Sequence, residues 1–303
     1  MASTILFIVG PSAVGKSRLG LAVAQALRGE IIACDAMQVY REIQIASDKP
    51  SAGDRALVPH HALDLVSVTE HFDAAMYRDA AMSAIEQVRQ KGKVPIVVGG
   101  SGMYVSILLD GIFEGQGRDE VLRQQLITQA KDQGPQTLYA HLLKLDPQAA
   151  QKIHPHDVKR LVRALEVCLG TGEPISVKQK ERSGLWGKEQ VQVFGLMRPR
   201  EILYGLAEAR VERMFTQGLV EEVRALGSLT LSPTAQVLIG IKEVQGYLRG
   251  EYDMERVKYL LKRNTRHYIK RQMTWFRRDT RIQWIDMQGQ DVEAVAHRIL
   301  AWS

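Results

Sequence analysis

Two cysteines in 303 residues are too few for a disulfide framework. Cys34 and Cys168 lie in apolar surroundings without C-x-x-C spacing, which also excludes a zinc ribbon. No apolar run approaches the roughly 18 residues that a membrane span requires. The opening segment MASTILFIVG has a short apolar run and no basic flank. A soluble, unprocessed protein of a reducing cytoplasm, without membrane association, is therefore expected. Internal repeats and low-complexity tracts are missing too. His60 and His61 follow Pro59 but lack a third ligand at a useful spacing, so packing or backbone hydrogen bonding is expected of them rather than metal.

What is present is an ordinary globular composition, 45% hydrophobic, long enough for one large core or two smaller ones. The net charge of +6 points to polyanionic partners, and it is concentrated: residues 256–281 hold ten Lys or Arg against one acid, Asp279. In that segment Lys258, Lys262, Arg266 and Lys270 recur every four residues, with Tyr268, Trp275 and Phe276 interleaved. The spacing predicts a basic ridge on a packed helix, and the aromatics favour nucleic acid or diphosphate contact over a merely solvated face.

The sharpest local signal is Gly10-Pro11-Ser12-Ala13-Val14-Gly15-Lys16-Ser17, a full match to G-x-x-x-x-G-K-[ST], preceded by the strand-like Ile5 to Val9 and followed by helical spacing through residue 28. Glycines let successive N–H groups converge on phosphate oxygens, Lys16 adds a point charge, and Ser17 offers a hydroxyl to magnesium. Strand and helix signals then alternate: EIIAC at 30–34, a helix from Ala74 to Arg89, the strand Val94 to Val98, and a helix from Gly102 to Leu109. Such alternation predicts an α/β fold, a P-loop NTPase-like parallel sheet flanked by helices. Ligands of such sheets gather at the strands' carboxyl ends, where the phosphate loop, Asp35 and Gly99-Gly100-Ser101 converge. For Asp35 the residues alone leave two roles open, an acid of the magnesium shell or a general base. The loop Ala36-Met37-Gln38-Val39-Tyr40-Arg41 after it carries groups able to read a planar base.

From Gly111 to Gly117 the chain turns glycine-rich, and the next 70 residues read as helices without strands. The expected organisation is a core of residues 1–112 and 186–303, ending in a helical basic C-terminal region, with a helical insertion domain at 113–185. Within the insertion, a helix from Asp157 to Leu169 has an N-cap at Asp157, apolar Val158, Leu161, Val162, Leu165 and Leu169, and an opposite face of Lys159, Arg160 and Arg163. Thr171-Gly172-Glu173-Pro174 stops it. A last strand, Val191 to Leu196, rejoins the sheet, and the remainder is helical to about Phe276. A small-metabolite kinase and a nucleotide-switched RNA-binding protein both suit the phosphate loop; the kinase reading leaves the basic C-terminal third without a task.

The motifs GPSAVGKS at 10, DAMQVYREIQIASDKP at 35, PHHALDLV at 59, PIVVGGSGMYVSILLDG at 95, DVKRLVRALEVCLGTGEPIS at 157, GIKEVQGYL at 240 and KRNTRHYIKRQMTWFRRD at 262 together resemble the bacterial tRNA dimethylallyltransferase (tRNA isopentenyltransferase) family over nearly the whole chain. The resemblance implies transfer of a dimethylallyl group from dimethylallyl diphosphate to N6 of adenosine 37 in tRNA, with release of diphosphate. By that resemblance Gly10 to Ser17 hold the diphosphate with Arg210, Ser17 holds Mg2+, and Asp35, Lys16 and Ser101 are catalytic, Asp35 as the base on an extruded adenine. It also implies that the tRNA anticodon arm meets Asp35, Ala36, Met37, Gln38, Ser101, Arg123, Lys159, Arg160, Leu161, Val162, Arg163, Arg263, Arg266, Lys270 and Arg271. No obligate protein partner is implied, and monomer is the family default. The chain departs from the pattern in Asp35-Ala36-Met37-Gln38, where Asp-Ser-x-Gln is usual, and in Ala46 to Pro50, where Gly-Thr-Ala-Lys-Pro is usual. Ser101 stands where a threonine is usual. Leu206 stands where the first of two arginines four apart is common, leaving Arg210 alone.

Overall fold

A computed structural model describes residues 4–113 and 119–302. The chain divides into two compact units, one of Met1–Leu109 with Leu185–Ser303 and one of Asp110–Gly184. Residues 114–118 of the glycine-rich segment lie outside the described residues.

The larger unit is built on six parallel strands: β1 (Ile5–Val9), β2 (Glu30–Cys34), β3 (His60–His61), β4 (Pro95–Gly99), β5 (Val191–Met197) and β6 (Ile282–Asp286), in the order β3-β2-β4-β1-β5-β6. All residues of β1, β2 and β4 are buried, as near-continuous apolar strands between two helical layers should be. Alternation along β1 divides the core in two. Ile5, Phe7 and Val9 join one cluster with Tyr77 and Phe276, while Leu6 and Ile8 join another with Leu19, Phe194 and Leu203.

Register fixes where function can sit. Val9 pairs with Gly99 in one ladder and Cys34 with Gly99 in the next, so β1, β2 and β4 end at one level. Gly10, Asp35 and Gly100 therefore leave the sheet side by side.

Two short strands escape the periodicity reading. β3 and β6 are the edges, and β6 mixes Gln283 with Trp284 directly after a basic run, which hides its apolar signal. The strand at 191 is thus not the last, and a further helix, Val292–Trp302, follows β6. His60 Nδ1 pairs with the Val58 carbonyl at 2.7 Å, and His61 Nε2 with the buried Glu30 carboxylate at 2.7 Å, so both have structural partners.

The smaller unit is helical among its described residues, with Glu120–Gln133, Pro135–Leu145 and Val158–Thr171 closing on Leu126, Leu138, Leu142, Leu161 and Leu165. The Asp157 carboxylate caps the last of these by accepting from the Arg160 N–H, and Gly172 ends it with φ 71°. Leu161 and Val162, expected among the RNA-contacting residues, are 0% and 2% exposed: their side chains fill this core, which leaves only their backbone for such a contact. Leu169 is the reverse case, 42% exposed on the helix's last turn.

Candidate active site

Between β1 and helix Lys16–Ala26 the chain makes a loop whose backbone restricts what some of its positions can carry. Gly10 has φ 146°, and a Cβ there would lie 2.7 Å from the Leu196 carbonyl oxygen. Ala13 and Gly15 also have positive φ, at 65° and 111°, a backbone form found in loops whose successive amides converge on an anion. Pro11 and Val14 are buried, and Val14 anchors the loop to the core beneath it. Lys16 reaches back so that its Nζ donates to the Pro11 carbonyl at 2.8 Å. Burial lowers the Lys16 pKa to about 8; the Asp35 charge opposes that and the Arg210 charge adds to it.

A cavity of about 460 Å³ opens beside this loop, lined by Ser12, Lys16, Ser17, Asp35, Gln38 and Arg210 among others. It brings together the phosphate loop and the acid after β2, as the strand ends require. Oδ1 of Asp35 accepts from the Met37 N–H at 2.9 Å, fixing the carboxylate at the start of its loop. The Ser101 hydroxyl accepts from the Ala36 N–H at 3.0 Å, tying that loop to the turn after β4. Gln38 Nε2 donates to the Ser47 and Asp48 carbonyls at 3.3 and 3.2 Å. Arg210 sits 3.4 Å from the Asp48 carboxylate.

Several members of the site were not foreseen. Glu222 accepts from the backbone N–H groups of Gln44, Ile45 and Ala46 at 2.7, 2.7 and 2.9 Å and so clamps the loop that carries Gln38. Gln272, 4% exposed, binds the phosphate loop. Tyr268 has its phenol pushed above the usual range by burial and the Asp35 charge, against a hydrogen bond with Ser101. Arg213 lines the cavity. Tyr268 was expected only as one of the aromatics of the basic ridge, not beside Asp35 and Ser101, and Gln272 lies within the same motif without a charge to mark it.

Ser17 and the carboxylates of Asp35 and Asp48 give the cavity hard oxygen donors. Among the described residues no group of three or more His, Cys, Asp or Glu could hold a metal by itself. Such a donor set fits magnesium, which takes one or two protein oxygens and completes its shell with phosphate and water.

The basic ridge is only partly free. Glu212 binds Lys258 at 3.0 Å and Lys262 at 2.6 Å, and Glu208 binds Arg266 at 2.8 Å, so two carboxylates of helix Arg200–Thr216 pair with three of its four cations. Lys270 and Arg271 remain exposed, with Arg271 over the Tyr268 ring, and Arg263 is half-buried. In the smaller unit Lys159, Arg160 and Arg163 are exposed. Arg123 is not free: it makes a two-pronged pair, 2.8 Å each, with Glu166, whose side chain is 4% exposed.

The IPP transferase family model matches residues 38–279. A tRNA dimethylallyltransferase of Geobacter metallireducens is 42% identical over 94% of this chain and 93% of its own length, and one of Pelotomaculum thermopropionicum is 42% identical over 97% and 95%. Among solved structures, a tRNA isopentenylpyrophosphate transferase of Bacillus halodurans is 34% identical with a TM-score of 0.74, covering 99% of this chain and 95% of that one. A eukaryotic dimethylallyltransferase captured acting on tRNA is 28% identical with a TM-score of 0.83, covering 99% of this chain and 78% of that one. The chain therefore belongs to the IPP transferase family and, with it, to the tRNA dimethylallyltransferase enzymes.

Proposed function

We propose that the cavity binds dimethylallyl diphosphate with its leaving group in the phosphate loop, and that the five-carbon unit passes to N6 of adenosine 37 of a tRNA. The observation that carries this reading is the joint lining of one cavity by Lys16, Ser17 and Asp35. A loop made to hold phosphates there faces a carboxylate made to hold a proton.

In the reaction the C1–O bond to diphosphate breaks and a C1–N6 bond forms. The surplus N6 proton passes to the Asp35 carboxylate, and the electron pair of the broken bond leaves with diphosphate. Adenine N6 is a poor nucleophile because its lone pair is delocalised into the ring. A carboxylate accepting one N6 proton orients the amine and restores its reactivity. Lys16 and the loop amides stabilise charge as it builds on the departing oxygen. Bound magnesium, held by Ser17 and a carboxylate, would supply further charge neutralisation at the diphosphate. The target base must leave its stack to reach this depth, and the loop from Ala36 to Gln38 lies beside Asp35 to receive it.

For the anticodon arm, the reading uses cations that each unit leaves at least partly open to solvent: Lys159, Arg160 and Arg163 in the smaller, of which Arg160 also pairs with Asp157 at 3.2 Å, and Arg263, Lys270 and Arg271 in the larger. Arg123 and Arg266 serve first as partners of Glu166 and Glu208.

The test is incubation with radiolabelled dimethylallyl diphosphate, magnesium and either unmodified tRNA or AMP. Label is expected in tRNA at the adenine beside the anticodon. Label in AMP alone, or phosphoryl transfer from ATP without prenylation, would refute the reading.

A further inference from the structure

Helix Arg200–Thr216 turns one stripe towards the phosphate-loop cavity, and Leu206, Arg210 and Arg213 all line it from there. Spacings of four and three keep the three positions on one face. Their commitments differ. Arg210 is 19% exposed and placed against Asp48. Arg213 is exposed, and no carboxylate lies within ion-pair distance of it among the described residues. Leu206, one turn before Arg210, is 43% exposed and brings no charge.

The cavity's charge balance gives Arg213 its weight. Lys16, Arg18, Arg210 and Arg213 are its four cations, and Asp35, Asp48 and Asp54 its three carboxylates. Without Arg213 the two signs cancel, and a multiply charged anion would gain little on entering. An arginine fork suits phosphate oxygens, which it meets through two N–H groups at once.

We infer that Arg213 is a diphosphate-binding residue of this chain, forming with Arg210 a two-guanidinium clamp on the allylic diphosphate opposite the phosphate loop. The apolar side chain at 206 leaves the second jaw to position 213, on the other side of Arg210 along the same stripe. This rests on the reading of the cavity as the diphosphate site, and the experiment keeps the two apart.

The probe is inorganic pyrophosphate with magnesium, titrated calorimetrically, beside steady-state kinetics with dimethylallyl diphosphate and tRNA. Arg213→Ala is expected to weaken pyrophosphate binding about tenfold or more and to raise the KM for dimethylallyl diphosphate in step, with kcat and tRNA affinity nearly unchanged. Adding Leu206→Arg to Arg213→Ala should recover most of the lost affinity, because it returns a guanidinium to the same stripe. Pyrophosphate affinity within twofold of the parent in Arg213→Ala overturns the assignment while leaving the site standing. A loss that Leu206→Arg does not restore, accompanied by a lower Tm, makes Arg213 structural and also overturns it. If the parent itself ignores pyrophosphate, the reading of the cavity fails and takes this inference with it.

Discussion

Gln272 accepts the Ser12 N–H at 2.9 Å across 260 residues of chain, and its Nε2 donates to the Gly100 carbonyl at 3.0 Å. One buried amide thus fastens the long helix Met254–Phe276 to the phosphate loop and to the turn beside it. The helix that carries the exposed Lys270 and Arg271 is thereby anchored at the phosphate loop.

Gln272→Ala should loosen that loop without touching either substrate. It leaves a buried donor and acceptor unpaired, at a cost of about 1–3 kcal/mol for each group. The expected result is a lower Tm and pyrophosphate affinity reduced about tenfold, with tRNA affinity little changed. Calorimetry and filter binding on the same preparation would check both.

Asp35→Asn keeps the shape of the side chain and removes its capacity to take a proton. Turnover should fall by about 10²- to 10⁴-fold, the usual worth of a positioned general base. tRNA affinity should stay within twofold. Single-turnover transfer rates measure the effect, and near-normal rates would remove Asp35 from the base role.

Lys16 gives the site a pH limit. Its pKa is lowered to about 8, chiefly by burial, so in the free enzyme the ammonium is charged below that pH and neutral above it. Diphosphate affinity should therefore decline as pH rises through about 8. Lys16→Arg should remove the inflection, since a guanidinium stays charged throughout. Pyrophosphate titrations between pH 7 and pH 9.5 would show it.

Glu30 is buried at the opposite end of β2 from Asp35, where it meets Lys93 at 2.7 Å, His61 at 2.7 Å and Lys91 at 3.0 Å. Burial alone would raise its pKa, but these hydrogen bonds outweigh burial and hold it at about 2, against 4.5 ordinarily. Because the folded value is the lower, its stabilisation is present above the ordinary pKa and is lost as pH falls through the window between the two. Glu30→Gln should lower Tm at neutral pH and flatten the acid limb of a Tm-against-pH curve.

Committed and free cations should differ in their salt dependence. Lys270→Ala and Lys159→Ala should each reduce the slope of log Kd for tRNA against log salt, by up to about 0.9 for every phosphate that the variant no longer neutralises. Arg266→Ala, which frees Glu208, should move the slope less. Equal slopes in all three variants would contradict the division between free and paired cations.

The phosphate loop, the acid after β2 and the helix after Asp157 were legible because their determinants are local. A glycine's φ, a cap accepting from a residue three positions on, and an apolar stripe of period 3.6 are all set within a few residues. β3 and β6 were not, since an edge strand is defined by its neighbour more than by its own composition. Leu161 and Val162 sit between cations in a basic motif, yet the helical period turns them inward to the smaller unit's core.

The sequence by itself determined that a phosphate-loop motif stands at the end of a strand of a parallel sheet and that excess positive charge gathers near the C-terminus. Only the tertiary structure decided which charges are spent. Glu208 and Glu212 are far from Arg266, Lys258 and Lys262 along the chain, and Asp48 is farther still from Arg210. It likewise decided that Gln272 reaches Ser12 and that Arg213 shares a cavity with Lys16. Pairing over such separations depends on how helices dock on the sheet, and no local pattern of residue types encodes that.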